Sequence, residues 1–148
     1  MQRLKAPKRL TKEVKELILY HMYDFDLQTK ENRVRKFIVE HYALLEKLLA
    51  VKQADFSGCK DDLSTCPTAI KWQAIIERMK GEKAPFTLKQ LALNGKDLAD
   101  NGYPAPYLSK ILNKLLLLTA VHPKENKKFR LLKHARGIYN ELQKENLT

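Results

Sequence analysis

The chain's 148 residues suffice for one compact domain or two small ones, and a hydrophobic share of 44% can fill a core, which excludes disorder as the default. Its 28 lysines and arginines against 17 acidic residues leave a formal charge of +11, a balance that favours a polyanionic partner. Cys59 and Cys66 are too few for a disulfide scaffold, although a loop disulfide between them is geometrically open, and a reduced, cytoplasmic protein is expected. The longest apolar run, Leu115 to Leu118, is far short of the roughly 20 residues that span a bilayer. Met1 leads through a basic segment into an amphipathic helix without the apolar core of a secretory signal, so no membrane partner is expected.

Along the chain, apolar residues recur at helical spacing nearly throughout. Leu10, Val14, Leu17, Ile18 and His21 predict a first helix reaching about Tyr23, with Thr11 as its N-cap. Val34, Phe37, Ile38, His41, Leu45, Leu48 and Leu49 predict a second helical region, bent near Tyr42. Ser57 to Thr68 gathers Gly58, Pro67 and several polar turn formers, and reads as a loop. Ile70, Ala74, Ile75 and Met79 outline a third helix ending near Gly81, a typical C-terminal glycine position. Pro85 then breaks the chain.

Thr87 and Gln90 have capping-box spacing and open a short helix through Leu88, Leu91 and Ala92. Asn94-Gly95 reads as a turn, and Asp97 to Asn101 as another short helix closed by Gly102. Pro104 and Pro106 position the start of a long helix carrying Leu108, Ile111, Leu112, Leu115 and Leu118. After His122-Pro123, a last helix follows the stripe Phe129, Leu132, Ala135, Ile138 and Leu142. No segment alternates apolar and polar residues, so the expected fold is all-α, a helical bundle of about six to eight helices with no sheet. The loop divides it into a helical body-like part, residues 1–63, and a tail-like part, residues 64–148, as two subdomains or one continuous domain.

Basic residues cluster at Arg3 to Lys15, Lys30 to Lys36, Lys71 to Lys96 and Lys124 to Arg136. The last cluster sets six basic residues against Glu125 alone and is the least neutralised. Candidate phosphate contacts are Lys127, Lys128, Arg130 and Lys133 there, Arg33, Arg35 and Lys36 in the second cluster, and Lys96, Lys110 and Lys114 around the start of the long helix. Tyr103 and Tyr107 flank that start, whose unpaired backbone N–H groups offer a seat for a phosphate. The plain alternative is that these charges solvate helix faces, and that Tyr107 belongs to the core. Trp72, beside Ile75 and Ile76, reads as a core or subdomain contact, with a stacking platform for an unpaired base as the lesser alternative.

Asp24 and Asp26 form an Asp-x-Asp just past a helix end, without a glycine loop upstream. Cys59 and Cys66 lack the short Cys-x-x-Cys spacing of a zinc site. His21 and His41 fall on apolar faces, where a hydrogen-bonded core histidine is the commoner outcome, and Asp55 suits a cap or a partner for a buried arginine. No catalytic residue, metal ligand or cofactor is expected within this chain.

Three blocks are similar, in the right order, to the C-terminal region of bacterial tRNA nucleotidyltransferases, the CCA-adding enzymes and their poly(A) polymerase relatives. LILYHMYDFD followed by ENRVRKFIVEHYALLEKLLAVKQAD resembles the family's Leu-Ile-x-x-His-Met segment, Val-Arg-Arg-Phe-Ile helix and leucine-rich helix ending in Ala-Asp. KWQAIIERM leading to PFTLKQLALNGKDL is the second block. GYPAPYLSKILNKLL, with a Pro-x-x-Asn segment before the last helix, resembles the family's Gly-x-x-Pro-Gly-Pro-x-Ile-Gly stretch, although Ala105 and Ser109 replace glycines there. The chain has five glycines, none adjacent, and so lacks the family's glycine loop; it also lacks the base-reading Glu-Asp-x-x-Arg motif, and its one Asp-x-Asp, Asp24 and Asp26, has no such loop upstream.

The resemblance implies the body and tail that grip tRNA, holding its 3′ end for nucleotide addition by a catalytic head outside this chain. Magnesium, CTP and ATP would belong to that head, and the chain alone would not catalyse the reaction. The region of His21, His41 and Asp55 is also similar to HD-type metal-dependent phosphohydrolases, although the chain contains no His-Asp dipeptide. A degenerate phosphohydrolase fragment and a helical protein-interaction module are the alternatives.

Overall fold

The structure, a computed structural model, describes residues 8–60 and 63–147; the Arg3 end of the first basic cluster and the middle of the expected loop lie outside the described residues. Among those residues the fold is all-α, with seven α-helices, short 3-10 turns and no strand. The helices are α1 (Lys8–Tyr20), α2 (Glu31–Glu40), α3 (Leu45–Lys60), α4 (Pro67–Gly81), α5 (Gly95–Asp100), α6 (Ala105–Val121) and α7 (Lys128–Leu147). No helix among the described residues is long and apolar enough to cross a membrane.

The apolar spacing of each helix sets which side it buries. Val34, Phe37 and Ile38 of α2 turn toward Ile111, Leu115 and Ala120 of α6, the helix at the centre of the packing. Against these lie Trp72, Ile75 and Met79 of α4 and Leu131, Ala135 and Leu142 of α7. One core therefore takes side chains from both sides of the 63/64 division, and α2 packs on α4 as well as on α6. Asn126, the asparagine of the Pro-x-x-Asn segment, donates to the Gln90 carbonyl at 3.0 Å and accepts from the Ala92 N–H at 2.8 Å, tying the α6–α7 connection to the chain before α5.

Several helix ends differ from the sequence expectation. Thr11 lies inside α1, which begins by Lys8 and ends at Tyr20. Asp24 and Leu27 then take positive φ values of 59° and 63°, which no helix continues through. The α2–α3 break falls at His41 to Leu44, as the bend near Tyr42 required. Ser57 to Lys60 continue α3 because Gln53 satisfies the connection from inside the helix: its amide donates to Ser57 Oγ and the Ser64 carbonyl, and its carbonyl accepts from the Cys66 N–H.

The Thr87–Gln90 pair makes no capping box; Gln90 instead accepts from the Phe86 N–H, and the segment is a single 3-10 turn. The capping box belongs to Asn94 and Asp97, so Asn94-Gly95 starts α5 rather than turning the chain. Gly102, at φ +88°, closes α5 with Tyr103 N–H on the Leu98 carbonyl and Gly102 N–H on the Ala99 carbonyl. α4 ends at Gly81 as its spacing requires, but the positive φ that closes it, 60°, falls on Lys83, with Lys83 N–H on the Lys80 carbonyl and Ala84 N–H on the Met79 carbonyl.

Candidate nucleic-acid interface

The basic residues separate into those that hold the fold and those left to solvent. Arg35 is buried at 4% exposure, its guanidinium bound to Glu82 at 2.7 Å, to Glu31 at 3.1 Å and to the Ala120 carbonyl at 3.2 Å. Glu82 holds the arginine's pKa above its ordinary value, and Arg35 in turn holds Glu82 below its own. This corrects the placement of Arg35 among phosphate contacts: its charge ties α2 to the ends of α4 and α6. The sequence carried the signal, since position 35 lies three before Ile38 and four after Glu31, on the packed edge of α2.

Lys36, the next residue, is exposed and reaches the opposite situation. It lines a cleft of about 380 Å³ with Lys114 of α6 and His134 of α7, over a floor of Leu117, Leu118, Val121 and Ile138. A second cleft of about 570 Å³ shares Val121 and His122 with the first and adds Lys124 and Arg130, so the two form one groove along α2, α6 and α7. The second cleft contains Glu31, Glu82 and Glu125, all engaged by this chain's own cations. Glu31 pairs with Arg35 and Arg78, Glu82 with Arg35, and Glu125 with Arg130 and His134, both at 3.1 Å. The His134 hydrogen bond, then Arg130, lowers the Glu125 pKa. Lys36, Lys114 and Lys124 have no ion-pair partner among the described residues, which leaves a net positive groove.

The remaining expected contacts lie elsewhere. Lys96 and Lys128 stand at the start of α5, where Lys128 pairs with Asp97 at 3.1 Å; the Asn94 N–H, then Lys128, holds the Asp97 carboxyl below its ordinary pKa. Arg33 lines a separate hollow with Asp26, Gln28, Thr29 and Lys30. Lys110, Lys127 and Lys133 are exposed and outside the groove. Tyr103 and Tyr107 are half-buried, each packed edge-on against Tyr139 of α7 at 5.3 and 5.2 Å, and Asn146 donates to the Tyr107 hydroxyl. Their role is to dock α7, which the reading of Tyr107 as a core residue anticipates.

The start of α6 is a poor phosphate seat. Pro106 carries no N–H, and the Tyr107 N–H is bound to the Pro104 carbonyl at 3.0 Å, so of the first three N–H positions only Ala105 keeps a donor to offer. The basic character of α6 comes from Lys110 and Lys114, in a helix with no acidic residue. His122, Lys124 and His134 were not singled out from the sequence as contacts. The His122-Pro123 break, which ends α6 and opens the next turn, was the available clue.

Asp24 does not fit a catalytic metal. Its side chain is fully buried and accepts from Lys71 at 2.8 Å, Trp72 Nε1 at 2.9 Å and the Thr29 N–H at 3.0 Å. Burial alone would raise its pKa, but these donors outweigh it and hold the carboxyl below the ordinary value. Trp72, at 0% exposure, is closed to any base. Buried Lys52 donates to the His21 and Tyr23 carbonyls beyond the end of α1 and sits 4.9 Å from the Trp72 ring, with its pKa lowered by burial.

His21 and Asp55 line one apolar cleft with Met22, Phe25 and Phe56, whereas His41 is packed against Tyr20 at 4.3 Å and Phe37 at 4.6 Å. The described residues contain no group of three or more His, Cys, Asp or Glu side chains placed to hold a metal. Compared with protein families, curated proteins and solved structures, the chain matches none of them.

Proposed function

We propose that this helical domain binds folded RNA, tRNA in the first place, through the groove of α2, α6 and α7, and acts in the cytoplasm as the gripping part of a tRNA nucleotidyltransferase of the CCA-adding or poly(A) polymerase type. The observation that carries the RNA reading is the groove itself: its carboxylates are neutralised internally, while Lys36, Lys114 and Lys124 keep their charge for a polyanion. The sequence blocks described above are what select tRNA among polyanions. Recognition would follow the shape and phosphates of an A-form helix, with lysines releasing counterions as they bind. Nucleotide addition, with its magnesium, CTP and ATP, would belong to a head outside this chain.

Titration of a labelled tRNA with the protein at increasing salt tests the reading. Binding that weakens steeply with salt, and that an unrelated acidic protein does not reproduce, is the expected result; no measurable attraction in dilute buffer overturns it. A second reading, a protein-contact module, draws on the exposed apolar side chains Ile18, Leu19 and Phe25 at 64%, 69% and 62% exposure. That surface leaves the basic groove unexplained.

A further inference from the structure

We propose that the first cleft of the groove is a subsite for a single unpaired nucleotide, with the base on the apolar floor and the phosphate between Lys36 and Lys114. Three helices build it. Leu117, Leu118 and Val121 of α6 and Ile138 of α7 form the floor, Lys36 comes from α2 and Lys114 from α6, and no carboxylate lines the cleft. Its volume, about 380 Å³, lies inside the range of about 300 to 1,000 Å³ usual for small-ligand sites.

A flat apolar body with a phosphate at one edge matches this division between floor and rim, whereas duplex RNA would touch only the rim. The His134 ring adds a wall: its Nε2 is tied to Glu125 at 3.1 Å, which fixes one edge of the imidazole while the side chain remains 40% exposed. An imidazole face held this way can stack on an unpaired base. Glu125 does not line this cleft, and it pairs with Arg130 as well as with His134. The assignment rests on the RNA-binding reading for the source of the nucleotide, but not for the chemistry of the cleft.

The test is a methyl-resolved NMR titration with adenosine 5′-monophosphate, adenosine and inorganic phosphate as separate probes. Adenosine monophosphate should shift the Leu117, Leu118, Val121 and Ile138 methyls saturably and leave those of buried Leu131 in place, while either half of the molecule binds at least about ten-fold more weakly. Lys36→Ala with Lys114→Ala, both at exposed positions, should weaken the monophosphate by about ten-fold or more. Silent floor methyls, equal binding of inorganic phosphate, or full affinity in the double variant would each overturn the subsite. Binding of tRNA measured in parallel separates the two readings: tRNA bound without the mononucleotide removes the subsite alone, and the mononucleotide bound without tRNA supports the subsite and removes the RNA.

Discussion

Around Trp72 the charges of Asp24, Lys71 and Lys52 are all engaged within the fold, whereas along the groove of α2, α6 and α7 three lysines are left outside any pairing. In the first region Asp24 is surrounded by Lys71, Trp72 and the Thr29 N–H, and Lys52 covers the open carbonyls past the end of α1. In the second, three carboxylates are satisfied by arginines and a histidine while Lys36, Lys114 and Lys124 face solvent. The chain's formal charge of +11 therefore says little until each cation is assigned to one region or the other. Adjacent Arg35 and Lys36 show the distinction at its sharpest.

The comparison breaks first in the packing that both regions share. Leu115, fully buried where α6 meets its neighbours, should cost about 2 to 5 kcal/mol as Leu115→Ala, read from the denaturant midpoint. Leu112, only partly buried, should cost less as Leu112→Ala, and an equal loss would mean that Leu112 is more tightly packed than its exposure indicates. Asp24→Asn keeps the shape of the inward-facing region but removes the charge that Lys71 and Trp72 meet, and should destabilise by about 3 kcal/mol.

That variant also fixes the sign of the acid response. The Asp24 carboxyl titrates below its ordinary value in the fold, so its contribution is complete above the unfolded value and is lost as pH falls through the folded one. The wild type should therefore lose stability more steeply than Asp24→Asn on acidification below about pH 4. Parallel curves would show that Asp24 is not the group responsible.

Smaller effects sharpen the difference. Lys83→Gly relieves a positive φ at the end of α4, one residue past groove-lining Glu82, and should stabilise by about 0.5 kcal/mol after the added chain entropy of glycine. No gain in melting temperature would mean that the φ of 60° carries little strain.

The all-α architecture was legible because apolar spacing records which side of a helix is buried, and α2, α4, α6 and α7 follow it closely. Helix ends were less legible, since Gln53 and Gln90 satisfy backbone groups that local sequence assigns to turns or to a different capping partner. In the candidate site, Lys36, Lys114 and Arg130 were visible as charge, but their convergence with His122, Lys124 and His134 depends on how α2, α6 and α7 pack. Lys52 and Arg35 mark the opposite limit. Both sit at helical spacing from buried leucine or isoleucine, and Glu31 four residues before Arg35 adds a local signal. Yet Glu82 and the Ala120, His21 and Tyr23 carbonyls that complete their burial lie far away in sequence.

The most direct measurement compares tRNA affinity across a salt series for the wild type, for Lys36, Lys114 and Lys124 replaced together by Ala, and for Lys127, Lys128 and Lys133 replaced together by Ala. All of these lysines are exposed, and the two triple variants remove the same charge. The groove variant should lose about ten-fold or more in affinity and about 2 to 3 in the log–log salt slope, with helical content unchanged and the second variant affected less. Equal losses in both variants, or none in the first, would contradict the assignment of RNA binding to the groove.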